Sequence, residues 1–205
     1  MQSSPRVKIC GNTNEEDVKR LIGYGVDSLG FIVTERDIPS RVESDTLSKL
    51  IKQVPSNMLS VIGVGKYSVE KIVEICRKTG ADVVQLQRGG SLDDIAIIRK
   101  ALPNLKIWKV FFTDKEPDLG EIVEFEKVSD AIMIHGKEEQ WPVGLKIAKQ
   151  LQKPFVLAGG LNVGNIKRAI DTFNPWMVDL ISGVETVPGK KDFRKVEEFI
   201  QAVKD

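Results

Sequence analysis

The sequence predicts an α/β protein: a single (β/α)8 TIM barrel with parallel strands, one domain spanning 1–205. Three observations predict it. Eight short apolar runs rich in Val and Ile alternate with eight stretches carrying apolar residues at i, i+3, i+4 and i+7 spacing. Strict alternation means parallel strands with crossover helices, and eight units of about 25 residues match a closed barrel. An open doubly wound sheet would want a phosphate-binding glycine fingerprint after its first strand, where only Cys-Gly-Asn-Thr-Asn stands.

The strand runs are RVKIC (6–10), SLGFIV (28–33), LSVIGV (59–64), DVVQLQ (82–87), KIWKVF (106–111), DAIMIH (130–135), FVLAG (155–159) and MVDLI (177–181). Between and after them, NEEDVKRLIGYG, SDTLSKLIKQV, SVEKIVEICRKTG, SLDDIAIIRKAL, DLGEIVEFEKV, WPVGLKIAKQL, VGNIKRAIDTF and DFRKVEEFIQAVK read as helices. Asn14, Ser44, Ser68 and Ser91 are suited to cap four of these, with acidic residues following in the first turn. The charge run EIVEFEKV reads as a solvated helix face, and Trp108, Trp141 and Trp176, scattered in the sequence, as packing or rim residues.

The chain is 41% hydrophobic and 29% charged, with 30 basic against 29 acidic residues, so no broad basic field invites nucleic acid. Its two cysteines build neither a disulfide framework nor a zinc cluster. No basic segment with a long apolar core opens the chain, and no run approaches about 18 apolar residues. A soluble cytoplasmic protein, without a metal and without a membrane partner, is the expectation. Its expected partner is a phosphorylated small molecule, and a homodimer is among the assemblies such a chain forms.

A barrel of this kind places its site at the C-terminal strand ends and the loops after them. Those ends offer Cys10, Arg41, Gln87 with Arg88, His135, Gly159 with Gly160, and Ser182 with Gly183. Side chains alternate along a strand, so Lys8 and Cys10 share the barrel-facing side while Val7 and Ile9 face helices. A nearby ammonium favours the thiolate and lowers a reference thiol pKa of about 8.5. A free cysteine also serves as a small buried hydrophobe, which is the reading for Cys76. Alternation likewise turns Ala131, Met133 and His135 inward, and an imidazole titrating near 6.5 exchanges protons at cellular pH. Glycines after the seventh and eighth strands, with a helix start close behind, fit a phosphate site.

These residues resemble the phosphoribosylanthranilate isomerase family. The resemblance runs the whole length through VKICGNTNEEDV, GVDSLGFIV with PSRVES behind it, GADVVQLQ, LAGGLNVGNIKRAI and VDLISGVETVPGKKD. It implies an enzyme of tryptophan biosynthesis that opens the furanose of a phosphoribosyl amine and carries out an Amadori rearrangement, aldimine to enol to ketone. The resemblance implies no cofactor, because the imine is its own electron sink. It makes Cys10 the general base toward the sugar C2 proton and places Arg41, after Ser40, at the anthranilate end. Phosphate falls to Gly159, Gly160, Ser182 and Gly183; Lys8, Gln87 and Asp179 join Arg41 as substrate-binding candidates.

Departures fall at the site itself. The family's general acid, an aspartate ending the sixth strand, is His135 here, and a protonated imidazole is suited to donate in its place. The loop behind it is short and lacks a GG-x-G stretch. QLQRGG stands where the family has Q-L-H-G, and Ile181 replaces one of two serines. Two alternatives stay open: a related enzyme for another phosphorylated sugar, and a non-catalytic barrel that binds a phosphorylated ligand.

Overall fold

Along the first strand Val7 and Ile9 turn outward into the apolar layer beneath the helices, while Lys8 between them turns to the barrel axis without exposure. The same alternation repeats around a closed ring of eight parallel strands in sequence order. In the computed structural model, which describes residues 4–204, these are β1 Arg6–Ile9, β2 Ser28–Val33, β3 Leu59–Val64, β4 Val83–Leu86, β5 Lys106–Phe112, β6 Ala131–His135, β7 Phe155–Ala158 and β8 Met177–Leu180. The ring closes where β8 pairs with β1. Each strand is followed by its helix: α1 Glu15–Gly23, α2 Ser44–Ile51, α3 Val69–Thr79, α4 Leu92–Ala101, α5 Leu119–Val128, α6 Trp141–Ala148, α7 Ile166–Phe173 and α8 Phe193–Lys204. A short antiparallel hairpin, β9 Glu185–Val187 and β10 Lys190–Lys191, lies between β8 and α8.

Two apolar layers result. The outer one lies between strands and helices; the inner one fills the barrel with Val61, Val83, Trp108, Val110, Ala131, Met133, Val156, Ala158 and Met177. Trp108 fills the centre, and Trp176 meets it edge to face at 5.9 Å. Two of the three scattered tryptophans are thus neighbours, at the end of the barrel opposite the mouth. Bulk at that end helps make the barrel interior a packed core.

The helix caps follow local chemistry. Asn14 accepts from the Asp17 N–H at 2.9 Å, Ser68 from Lys71 at 3.4 Å, and Ser91 forms a reciprocal capping box with Asp94. Ser44 differs: the cap position is Glu43, without a side-chain bond, and Ser44 sits inside the first turn. The run EIVEFEKV is also less solvated than its charges suggest. Glu126 is 7% exposed and accepts the N–H groups of Gln152 and Lys153 at 2.7 Å each, tying α5 to the chain before β7. Several strands end one residue earlier than the apolar runs do, which leaves Cys10, Gln87, Gly159 and Ile181 as the first residues of the mouth loops.

Candidate active site

Strand register assembles the site. Phe112, His135, Ala158, Asp179, Lys8 and Ser28 are successive neighbours across five strand pairs, one continuous row around the barrel wall. Lys8 and Asp179 pair within that row, Nζ to Oδ2 at 2.8 Å, with side chains 0% and 7% exposed. Cys10 stands just above Lys8. Gly30 of β2 makes room for both: a Cβ there would lie 2.5 Å from the Cys10 sulfur and 2.8 Å from the Lys8 ammonium.

Three polar atoms of the barrel interior, Lys8 Nζ and Asp179 Oδ1 in this row and Gln85 Oε1 on β4, lack a well-aligned hydrogen bond although buried. Buried polar groups are normally satisfied, so these atoms have capacity for hydroxyl groups or water. Gln85 is a residue that sequence reasoning missed. It faces inward beside Gln87, both near the open face of Gly63. Strand alternation from Gln87 would have found it.

Electrostatics corrects two expectations. Burial pushes the Cys10 thiol above its ordinary value; Lys8 and Lys191 pull it back, Asp179 adds to the rise, and the net shift is upward, not down. Burial likewise lowers the His135 imidazole, with Asp179 opposing. Both directions favour the thiol and the neutral imidazole at neutral pH. Lys8 stays charged: burial works against it, but Asp179 and Cys10 outweigh that and raise its pKa. Cys76 is inert, its thiol pushed up to about 12 by burial.

The remaining candidates divide. His135 meets Phe112 at a tilt of 47° with centroids 5.0 Å apart, and the Arg88 guanidinium lies over that phenyl ring, 4.2 Å from its centroid. Arg88 is itself paired with Asp114 at 2.6 Å. Arg41, in the loop after β2, is partly exposed and ion-paired with Glu43. It bridges to Ile32 near the end of β2.

The loops after β7 and β8 line one cleft. A cleft of about 450 Å³ is lined by Gly160, Asn162, Gly164, Ser182, Gly183 and Lys195, among others. Gly159 and Gly160 adopt φ of 99° and 69°, conformations that glycine takes without strain. Gly183 has no room for a side chain, because a Cβ would overlap the Leu161 carbonyl oxygen. Sequence reasoning missed Lys195, a cation at this cleft that also donates to the Glu185 carbonyl at 2.9 Å.

Gly183→Ala is accordingly expected to separate the two loops. It should cost about 1–3 kcal/mol in urea unfolding and abolish stabilisation by inorganic phosphate in thermal melts. Gly23→Ala, where a Cβ meets nothing within 4 Å, is the control. Equal phosphate response in both variants would show that the cleft does not bind phosphate.

Among the described residues no group of three or more His, Cys, Asp or Glu side chains converges as metal ligands do, and no helix is long and apolar enough to cross a membrane. Glycine loops over one cleft and a thiol above a buried ion pair thus lie at the same end of a closed (β/α)8 ring. A family model for N-(5′-phosphoribosyl)anthranilate isomerase matches residues 7–202, and the chain belongs to that family. The N-(5′-phosphoribosyl)anthranilate isomerase of Methanocaldococcus jannaschii is 33% identical, covering 97% of this chain and 96% of its own. A crystal structure of phosphoribosyl anthranilate isomerase in complex with reduced 1-(o-carboxyphenylamino)-1-deoxyribulose 5-phosphate superposes with a TM-score of 0.85, 28% identity and 98% coverage of both chains. Monomers of the dimeric enzyme from Thermotoga maritima give a TM-score of 0.83 at 28% identity, again over 98% of each chain.

Proposed function

We propose that this protein is a cytoplasmic phosphoribosylanthranilate isomerase of tryptophan biosynthesis, working as one domain over 1–205 and needing no cofactor. The observation that carries the reading is the family match over residues 7–202. The ligand named for the related crystal structure carries a 5-phosphate at one end and a carboxyphenyl group at the other. In this chain the phosphate belongs in the cleft of Gly160, Ser182 and Gly183, with Gly159 shaping the loop. The sugar hydroxyls belong over Lys8, Gln87 and Asp179, and the carboxylate toward Arg41.

His135, as imidazolium, gives its proton to the furanose ring oxygen as the C1–O bond breaks and the aldimine forms. Cys10, as thiolate, then takes the C2 proton, and the C–H electron pair moves toward the imine nitrogen to give the enol. The enol relaxes to the ketone. Thiol with neutral imidazole, and thiolate with imidazolium, carry the same number of protons. With the thiol raised and the imidazole lowered, that proton count persists across the whole interval between them.

The expected kcat/KM profile is therefore a broad plateau through neutral pH. Its acid limb lies below the ordinary imidazole range and its alkaline limb above the ordinary thiol range, because burial lowers the one and raises the other. A narrow bell centred near pH 7 would contradict these assignments. The function itself is tested by turnover of N-(5′-phosphoribosyl)anthranilate and rescue of a tryptophan auxotroph; failure of both ends the reading.

A second reading, a related enzyme for a different sugar phosphate, draws on Arg88 over Phe112 and the short loop behind His135. Stabilisation by a phosphosugar lacking the anthranilate group, with none by the reduced product analogue, would favour it. A barrel that only binds its ligand would turn nothing over. The dimeric relative from Thermotoga maritima makes a homodimer the assembly to seek by light scattering.

A further inference from the structure

The β9–β10 hairpin sends a buried ion pair into the turn that carries the thiol. The Lys191 side chain is 0% exposed and that of Glu185 6%, with their charged groups 2.9 Å apart. They face each other across the hairpin. The Lys191 ammonium also donates to the Cys10 carbonyl oxygen at 2.6 Å. On its other side Cys10 donates its N–H to Leu180 at 3.0 Å, so both of its backbone polar groups are held. Just beyond, Gly11 turns with φ 76°, and a Cβ on it would lie 3.2 Å from Ile181 and from Ser40.

A short hairpin needs no buried charge to close, and burying a lysine is unfavourable unless it is paired and hydrogen-bonded. What this lysine reaches is the candidate base. The hairpin also begins directly after the Ser182–Val184 turn of the phosphate cleft, and its Gly189 packs on Pro39 in the loop that carries Arg41.

We propose that Lys191 is a positioning residue for Cys10. It fixes the turn that presents the thiol and supplies positive charge beside it, while Glu185 sets how much of that charge the sulfur feels. The proposal rests on the reading of Cys10 as general base. The other charges facing Cys10 are Lys8 on its own strand and Asp179 on β8; β2 presents Gly30. Lys8 and Lys191 favour the thiolate, whereas burial and Asp179 oppose it.

The test is peptide-resolved alkylation of Cys10 by iodoacetamide against pH, on the full chain, for wild type, Lys191→Met, Lys191→Arg and Glu185→Gln. Thiolate is the reacting form, so moving the titration curve by about one pH unit changes the rate about tenfold on the rising limb. Lys191→Met is expected to react about tenfold more slowly at pH 7.5, its curve displaced to higher pH. Glu185→Gln should react faster, its curve displaced to lower pH, and Lys191→Arg should follow wild type. A merely structural clamp would change melting temperature and the limiting rate at high pH but leave the midpoint of each curve in place; unmoved midpoints overturn the proposal. If Lys191→Met does not fold, Glu185→Gln decides by its own displacement. Wild-type turnover of N-(5′-phosphoribosyl)anthranilate is measured separately, so a failed isomerase reading with displaced curves is told apart from a failed role for Lys191.

Discussion

Cys10→Ala is expected to lower kcat/KM for N-(5′-phosphoribosyl)anthranilate by about 10³-fold, the ordinary contribution of a positioned acid–base group. Stability should barely change, because the thiol is small and its neighbours Lys8 and Asp179 remain paired. Cys10→Ser is the sharper variant. Its hydroxyl is close to isosteric but a far weaker acid, so the loss should match that of alanine. Retention of more than a tenth of wild-type kcat/KM in either variant would remove Cys10 from the chemistry. Equal losses with unchanged KM would place its contribution in the transition state rather than in binding.

The largest stability effect is expected at Lys8. Lys8→Met keeps the buried stem but strips Asp179 of its only ion-pair partner among the described residues, in a position 7% exposed. Breaking a buried pair by removing one partner costs about 3–5 kcal/mol, far more than the pair contributes as a whole. Urea unfolding should register that loss. The double variant Lys8→Met with Asp179→Leu should recover most of it, since no uncompensated charge remains. A single variant within about 1 kcal/mol of wild type would mean that water already reaches Asp179. Lys8→Met should also cut turnover, by removing a cation that favours the Cys10 thiolate.

The barrel was legible because its signals are local. Period-two and period-3.6 patterns and serine and asparagine caps are all written within a few residues of where they act. The site was legible in part, through one rule: strand alternation turned Lys8, Cys10 and His135 inward, and the barrel rule put glycines 159, 160 and 183 at the mouth. What stayed hidden was long-range. No local pattern shows that Asp179 lies beside Lys8, 171 positions earlier, because only the closing β8–β1 register brings them together. Nor does the run GKKD show that its second lysine reaches Cys10. Proton affinities were misjudged for a related reason. Lys8 alone predicts a lowered thiol, but burial by the whole mouth and the Asp179 charge, both products of the closed ring, outweigh it.

The glycines of the mouth have a consequence for altering substrate range. A Cβ on Gly159 would lie 2.7 Å from the Gly136 backbone, and one on Gly183 would overlap Leu161. The loops after β6, β7 and β8 thus touch main chain to main chain, with no side chain between them to absorb a change in length or path. They form a single cassette. Transplanting one of them from a longer-looped relative would force its neighbours apart, whereas exchanging the three together would carry their mutual fit along.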